Sequence, residues 1–286
     1  MEKLNGLIDC HTHTLFSPDS DEPVENMIER ALSLGLSAYA ITDHCECNHW
    51  YSMEYYGATD NGYDTWNYDK DYERSVSCIT KMKEKYGNAI ELICGIELGQ
   101  ATYDLEVAEK IVSDPRLDFV IGSIHQLPDC DDFAFIKYEN YDYQGILKLM
   151  EEYFTEIYKL CKWGKFDVLG HITYTLRYIE GEAGIKVDMS QFEEIIRECF
   201  KVIIAGGKGI EINTSGLRQK YGKPFPHKEM LKTYKELGGE ILSLGSDAHC
   251  KEDSGKEIYE CAELARETGF KYITYFKNRK PVFLPL

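Results

Sequence analysis

The sequence predicts a parallel β/α architecture built as one domain, on three observations. Short apolar segments recur along the chain, each ends in polar residues, and each is followed by a helical pattern. Seven such strand candidates alternating with helices indicate a parallel sheet with crossover helices. The 286 residues exceed a usual domain, but β/α barrels commonly reach ~250 residues as one unit. No repeat, low-complexity tract or Pro/Ser linker divides the chain, so residues 1–286 are read as a single domain.

The elements follow in order. LIDCHTH (7–13) is the first strand; Pro23 opens the next helix and Gly35 closes it. AYAITDH (38–44) leads into a long connection, 46–68, holding Trp50, Tyr51, Tyr55, Tyr56, Tyr63, Trp66 and Tyr68. ELICGIEL (91–98) and FVIGSIH (119–125) precede a second long connection, 127–143, with Asp129, Asp131 and Asp132. An amphipathic stretch, 144–163, ends at Gly164, and VLGHIT (168–173) follows. Ser190 with Glu193 forms a capping-box pattern before FEEIIRECFKVII. GIEINTS (209–215) and ILSLGSDAH (241–249) complete the strands. Connections this long are functional lids or mobile segments. The aromatics of 46–68 either pack on one another or form a lid that stacks on a flat substrate group.

Composition narrows the function. Hydrophobic residues at 43% and charged residues at 28% describe an ordinary soluble globular protein. A formal charge of −17 argues against a nucleic-acid partner, which needs a basic surface. Bound cations would offset part of that charge. No apolar run approaches the ~20 residues of a membrane span, and MEKLNGLIDCHTHT lacks a signal-peptide core, so a cytoplasmic location is expected. Of the ten cysteines, Cys94, Cys161, Cys199 and Cys261 sit in apolar or helical stretches and read as reduced core residues. Cys45-x-Cys47 has no matching second pair and is read the same way rather than as a metal site.

Where the histidines fall is the central observation. His11, His13, His44, His125, His171 and His249, six of the eight, stand at the ends of strand candidates. In a β/α barrel those ends share one face, where active sites are built. A single strand-end histidine is a common satisfied polar residue, but six joined by acids point to metal. Asp9, His11 and His13 are two apart and project from one face, making a chelating pair that Asp9 can orient. Glu97 and Asp247 end their strands, and His249 follows Asp247 on the same face. Carboxylates bridge cations, which favours a cluster over a single ion. Asp19 lies close enough to curl back over the site, while Asp43 either faces away or orients a neighbour. Glu211 points into the barrel, supporting a ligand or accepting a hydrogen bond; His49 and His227 read as surface histidines, with His49 within reach of a substrate.

The set CHTHTLFSPD, AITDH, GIELG, GSIH, LGHIT, INTSG and GSDAH resembles the polymerase-and-histidinol-phosphatase family, over residues from about 7 to about 250. Its order and spacing most resemble the bacterial histidinol-phosphate phosphatases of that family. The resemblance implies a distorted seven-stranded β/α (TIM-like) barrel with a trinuclear site. One ion would be held by His11, His13, Glu97 and Asp247, a second by Glu97, His125 and His171, and a third by Asp19, His44 and His249. Glu97, Asp247 and His249 are read as catalytic. Many members carry histidine where this chain has Asp19, whereas the histidinol phosphatases carry an acid. Imidazole-rich sites suit zinc, iron or manganese better than magnesium.

A phosphate monoester also needs donors around the oxygens that metals do not reach. Arg177 and Arg218 lie nearest the strand ends, with Ser215 and Asn213 on the same strand tip as added donors. The expected reaction is hydrolysis of L-histidinol phosphate to L-histidinol and phosphate, in histidine biosynthesis, by attack of a metal-bridging hydroxide. The imidazole would stack on lid aromatics and the ammonium meet acids at 129–132. Alternatives are a phosphoesterase of the same family acting on another small monoester or a nucleotide, an amidohydrolase, and a catalytically silent metal-binding module. The Asp247-x-His249 ending and the absence of a clear bridging lysine disfavour the amidohydrolase, and filled ligand positions disfavour the silent module.

Overall fold

The computed structural model describes residues 4–56, 68–128 and 130–286. Tyr63, Trp66 and Asp129 of the two long connections lie outside the described residues. The parallel strands are β1 (Ile8–Asp9), β2 (Ala38–Ile41), β3 (His44–Glu46), β4 (Glu91–Gly99), β5 (Phe119–Ser123), β6 (Val168–Leu169), β7 (Gly209–Asn213) and β8 (Leu242–Gly245). They lie in the order β1-β2-β4-β5-β6-β7-β8, with β3 also on β4. One register runs through β2 and β3: Ala38 faces Glu91, Ile41 faces Cys94 and His44 faces Glu97. These two are therefore one strand line with a break at Thr42–Asp43.

The sheet closes where β1 meets β8. Cys10 N–H donates to Leu244 O at 2.8 Å, Asp247 N–H to His11 O at 2.7 Å, and His13 N–H to Ala248 O at 2.8 Å. The closure requires glycine at 245, because a Cβ there would sit 2.3 Å from His11 Cβ. The result is a distorted seven-line barrel, as expected from the sequence. Strands of such a sheet are covered on both faces, and β4 is buried along all but its first residue.

Helix boundaries follow local chemistry. The helix Val24–Leu34 follows Pro23 and ends at Gly35, whose φ of 77° is cheap only for glycine. Tyr143–Trp163 starts with the Asp142 side chain accepting from Gly145 N–H and ends at Gly164. The capping box at Ser190 does not form: Ser190 N–H donates to Asp188, which caps a 3₁₀ turn, Met189–Phe192, ahead of the helix Glu193–Ala205. Among the described residues, no helix is long and apolar enough to cross a membrane.

One element has no counterpart in the sequence reading. β9 (Tyr272–Lys277) and β10 (Lys280–Pro285) form an antiparallel hairpin. Phe276 stacks on Phe119 at 5.2 Å, and Arg279 N–H donates to Asp118 O. Both partners sit at the N-terminal end of β5, so the hairpin covers the mouth opposite the histidines.

Candidate metal centre

Hydrogen bonds from their outer nitrogens orient several of the imidazoles. His11 Nδ1 lies 2.9 Å from Glu211 Oε2, and His125 Nδ1 3.0 Å from Glu46 Oε1. His249 Nδ1 lies 3.1 Å from the Asp247 carbonyl oxygen. Carboxylate and carbonyl oxygens only accept, so each Nδ1 carries a proton, which leaves Nε2 as the nitrogen that can offer a lone pair to a cation. His13 reaches the same state by a relay. Ser17 Oγ spends its proton on Asp43 Oδ1 at 2.9 Å, so it accepts from His13 Nδ1 at 3.0 Å. Asp43 also accepts from Thr14 and Ser75, which settles its role as an orienting residue. Asp9, by contrast, touches no imidazole through these bonds. Its carboxylate accepts from Ser246 N–H, Ser246 Oγ and Gly255 N–H, bracing the loop after β8.

Glu97 stands between two groups of rings. Its Oε2 lies 2.9 Å from His44 Nδ1, 3.3 Å from His11 Nε2 and 3.6 Å from His13 Nε2. Its Oε1 lies 2.7 Å from His171 Nε2 and 3.0 Å from His125 Nε2. Asp247 Oδ1 is 3.3 Å from His13 Nε2, and Asp19 Oδ2 is 3.0 Å from His249 Nε2 and 3.6 Å from His44 Nε2. Compact donor triads result: His11–His13–Asp247, His11–Glu97–His171, His44–Glu97–His125 and His13–His44–His249. All nine side chains expected as ligands thus lie in one cluster. His44 differs in one respect, since its Nδ1 turns to Glu97 as well as its Nε2 to Asp19.

The cluster fits divalent cations. His11 Nε2, His13 Nε2, His44 Nδ1, His249 Nε2 and Glu97 Oε2 are buried without a well-angled hydrogen bond, although His44 Nδ1 lies 2.9 Å from Glu97 Oε2 and His249 Nε2 3.0 Å from Asp19 Oδ2. Each such atom costs about 1–3 kcal/mol when left unpaired, and their convergence is the arrangement a cation satisfies. The electrostatics agree. Burial opposes charge on His11, yet Glu211, Glu97 and Asp247 hold its pKa well above the ordinary value. His44 and His125 behave likewise, burial being outweighed by Asp19 with Glu97 and by Glu97 with Glu46. Burial also opposes ionisation of Glu97 and Asp247, but the surrounding imidazoles keep both well below the usual carboxylate range. A field that draws protons onto buried rings draws metal cations as well. Asp247 has φ 54°, a left-handed conformation rare outside glycine and common at functional sites.

A cavity of about 190 Å³ opens above the cluster. Arg177, Glu46 and Asp132 line it, together with Tyr68, Tyr174 and Tyr178. Arg177 opens a π-helical turn, Arg177–Glu182, a distortion frequent at functional sites. Its Nη2 donates to Asp247 Oδ2 at 2.9 Å and Ser215 Oγ at 2.8 Å. Ser215 donates in turn to Asn213 Oδ1 at 2.6 Å, so Ser215 and Asn213 hold Arg177 and Asp247 and do not line the cavity. Arg218 departs from expectation too. It donates to Ser246 O at 2.6 Å and Glu257 Oε2 at 3.0 Å, bracing the β8 loop outside the cavity wall.

The aromatic connection divides between its two readings. Tyr51, Tyr55 and Tyr56 pack on one another and Trp50 packs on Tyr72, whereas Tyr68 lines the cavity. His49 is half-buried, with Nε2 3.0 Å from Gln126 Oε1, and His227 is half-buried at the start of the helix Lys228–Glu236. Among the described residues, neither Cys45 nor Cys47 joins a metal-type group. Glu46, Ser17 and Tyr174 were missed in the sequence. Glu46 carried a legible signal, because it stands two residues after His44.

Comparison with known proteins agrees with this geometry. A family model described as PHP domain matches residues 9–215. A histidinol-phosphatase of Lactococcus lactis is 25% identical over 280 residues, covering 96% of this chain and 95% of that protein. A probable histidinol-phosphatase of Clostridium acetobutylicum is 28% identical over 278 residues, covering 96% and 98%. The Lactococcus lactis histidinol phosphate phosphatase, solved with zinc, L-histidinol and phosphate, shares the fold. Its TM-score is 0.77 at 22% identity, over 97% of this chain and 99% of that one.

Proposed function

The chain belongs to the PHP domain family, and from that membership we propose that it is a metal-dependent phosphatase hydrolysing L-histidinol phosphate to L-histidinol and phosphate. The observation that carries the reading is the convergence of five buried ligand atoms, none in a well-angled hydrogen bond, at a cavity that the Arg177 guanidinium also lines. Relatives named histidinol-phosphatase that cover nearly the whole chain support the substrate, and a barrel sheet with the C-terminal hairpin packed on it supports a single catalytic domain over 1–286.

The ligand sets we assign are His11, His13, Glu97 and Asp247 for one ion, Glu97, His125 and His171 for a second, and Asp19, His44 and His249 for a third. Divalent ions held there supply Lewis acidity and acidify water toward neutral pH. Without cations, Asp19, Glu46, Glu97 and Asp247 would repel a phosphate dianion from the cavity floor, so the protein's own charge calls for them. Arg177, fixed by Asp247 and Ser215, donates to phosphate oxygens and stabilises charge that grows on them. Asp132, which also lines the cavity, attracts the cationic amino alcohol. Tyr174 and Tyr178 give the cavity aromatic lining beside Arg177.

A phosphate-release screen over histidinol phosphate, glycerol phosphate, nucleotide monophosphates and p-nitrophenyl phosphate tests this, with and without chelator. The expected result is chelator-sensitive release with a clear preference for histidinol phosphate. Equal rates on all esters would sink the substrate assignment, and release unaffected by complete metal removal would sink the metal chemistry.

A further inference from the structure

We infer that Glu46 is a positioning residue of the metal centre, fixing the His125 ring so that Nε2 faces Glu97 and His171. The inference rests on the metal reading above and deepens it. Glu46 follows His44 by two residues on β3, so both side chains project from one face into the barrel mouth. It is 5% exposed, and its Oε1 lies 3.0 Å from His125 Nδ1. The carboxylate accepts, the Nδ1–H donates, and His125 Nε2 is left 3.0 Å from Glu97 Oε1 and 3.4 Å from His171 Nε2.

Two further observations single out this carboxylate. First, Glu46 Oε1 is also 3.6 Å from His44 Nδ1. One side chain therefore stands between rings assigned to different ions, and it comes from a different strand than the ring it holds. Second, the space it fills exists only because residue 99 is glycine. Gly99 is the register partner of Glu46, and a Cβ there would lie 1.8 Å from Glu46 Oε2. That oxygen is buried with no hydrogen-bond partner, so packing alone does not account for a carboxylate here. A carboxylate behind a ligating histidine sets its tautomer and raises its basicity.

The test uses the full chain with zinc alone as probe. Zinc affinities are measured by chelator competition for wild type, Glu46→Gln, Glu46→Ala and Gly99→Ala, with circular dichroism reporting the fold. Glu46→Ala is expected to weaken one zinc ~10–100-fold and leave the others within about threefold. Glu46→Gln, whose carbonyl still accepts from Nδ1, recovers part of that loss. Gly99→Ala keeps Glu46 but takes its space, and reproduces the Glu46→Ala loss. In ¹⁵N–¹H spectra of zinc-loaded wild type, His125 carries its proton on Nδ1. Unchanged zinc affinities in folded Glu46→Ala overturn the inference, as does a His125 protonated on Nε2. If Gly99→Ala fails to fold, the two Glu46 variants decide alone. Zinc binding is read without any phosphate ester, so failure of the substrate assignment leaves this outcome standing.

Discussion

Replacing Glu97 by alanine removes a side chain whose two oxygens face both groups of rings. Oε2 lies within 3.6 Å of His11, His13 and His44, and Oε1 within 3.0 Å of His125 and His171. A four-ligand zinc site is worth ~10–16 kcal/mol, so one ligand contributes about 3 kcal/mol. At 1.4 kcal/mol per tenfold, that is roughly a hundredfold in affinity for each ion that shares Glu97. Two ions do so in the assignment above, and the combined loss is about 10⁴. Metal content by elemental analysis after dialysis against a weak chelator gives the first readout, and phosphate release from histidinol phosphate the second. The expected result is a protein holding one ion at most, with turnover near background. Wild-type metal content and rate in Glu97→Ala would refute the bridging role, and loss of a single ion would show that Glu97 serves one.

Arg177→Ala is expected to lower kcat/KM for histidinol phosphate by about 10²–10³-fold, the usual cost of one donor aimed at developing charge. Arg177→Lys should recover only part, since the ammonium lacks the planar fork; full activity in Arg177→Ala removes it from the phosphate site. Complete metal removal is expected to lower thermal stability. An ion at a thousand times its Kd stabilises by about 4 kcal/mol, and each kcal/mol moves Tm by roughly 2–3 °C in a chain of this size. Calorimetry should therefore show a fall of at least about 8 °C per ion, and equal Tm values for loaded and stripped protein contradict native-state binding. Gly245→Ala places a Cβ 2.3 Å from His11 Cβ. It should cost about 1–3 kcal/mol in chemical denaturation and weaken zinc at the His11–His13 pair; wild-type values for both would mean that the closure tolerates a side chain.

Most of the cluster was legible because extended chain has a two-residue period. HTH and DAH place His11 with His13, and Asp247 with His249, on one face wherever the strands end. Glu46 obeys the same rule but was lost when the strand was ended at His44, although the β2 register runs on through it. Asp9 illustrates the converse: the right periodicity, but a partner, Ser246, that only the chain closure supplies. Arg218 was assigned by its nearness to a strand tip, and nearness cannot show that Glu257 and the Ser246 carbonyl claim the guanidinium first. The C-terminal hairpin went unread for want of turn glycine, since Asn278 and Arg279 carry its positive φ values. At Ser190 the pattern was present, but Asp188 competed for the same backbone donor.

The most direct test of the metal centre is anomalous diffraction from crystals grown with zinc or manganese, recorded on either side of the metal edge. Three neighbouring peaks are expected, two of them within bonding distance of Glu97, with His11, His13 and Asp247 around one and His125 and His171 around the other, and a third held by Asp19, His44 and His249. Peaks confined to the surface, or an empty cluster in protein that still releases phosphate, would contradict it.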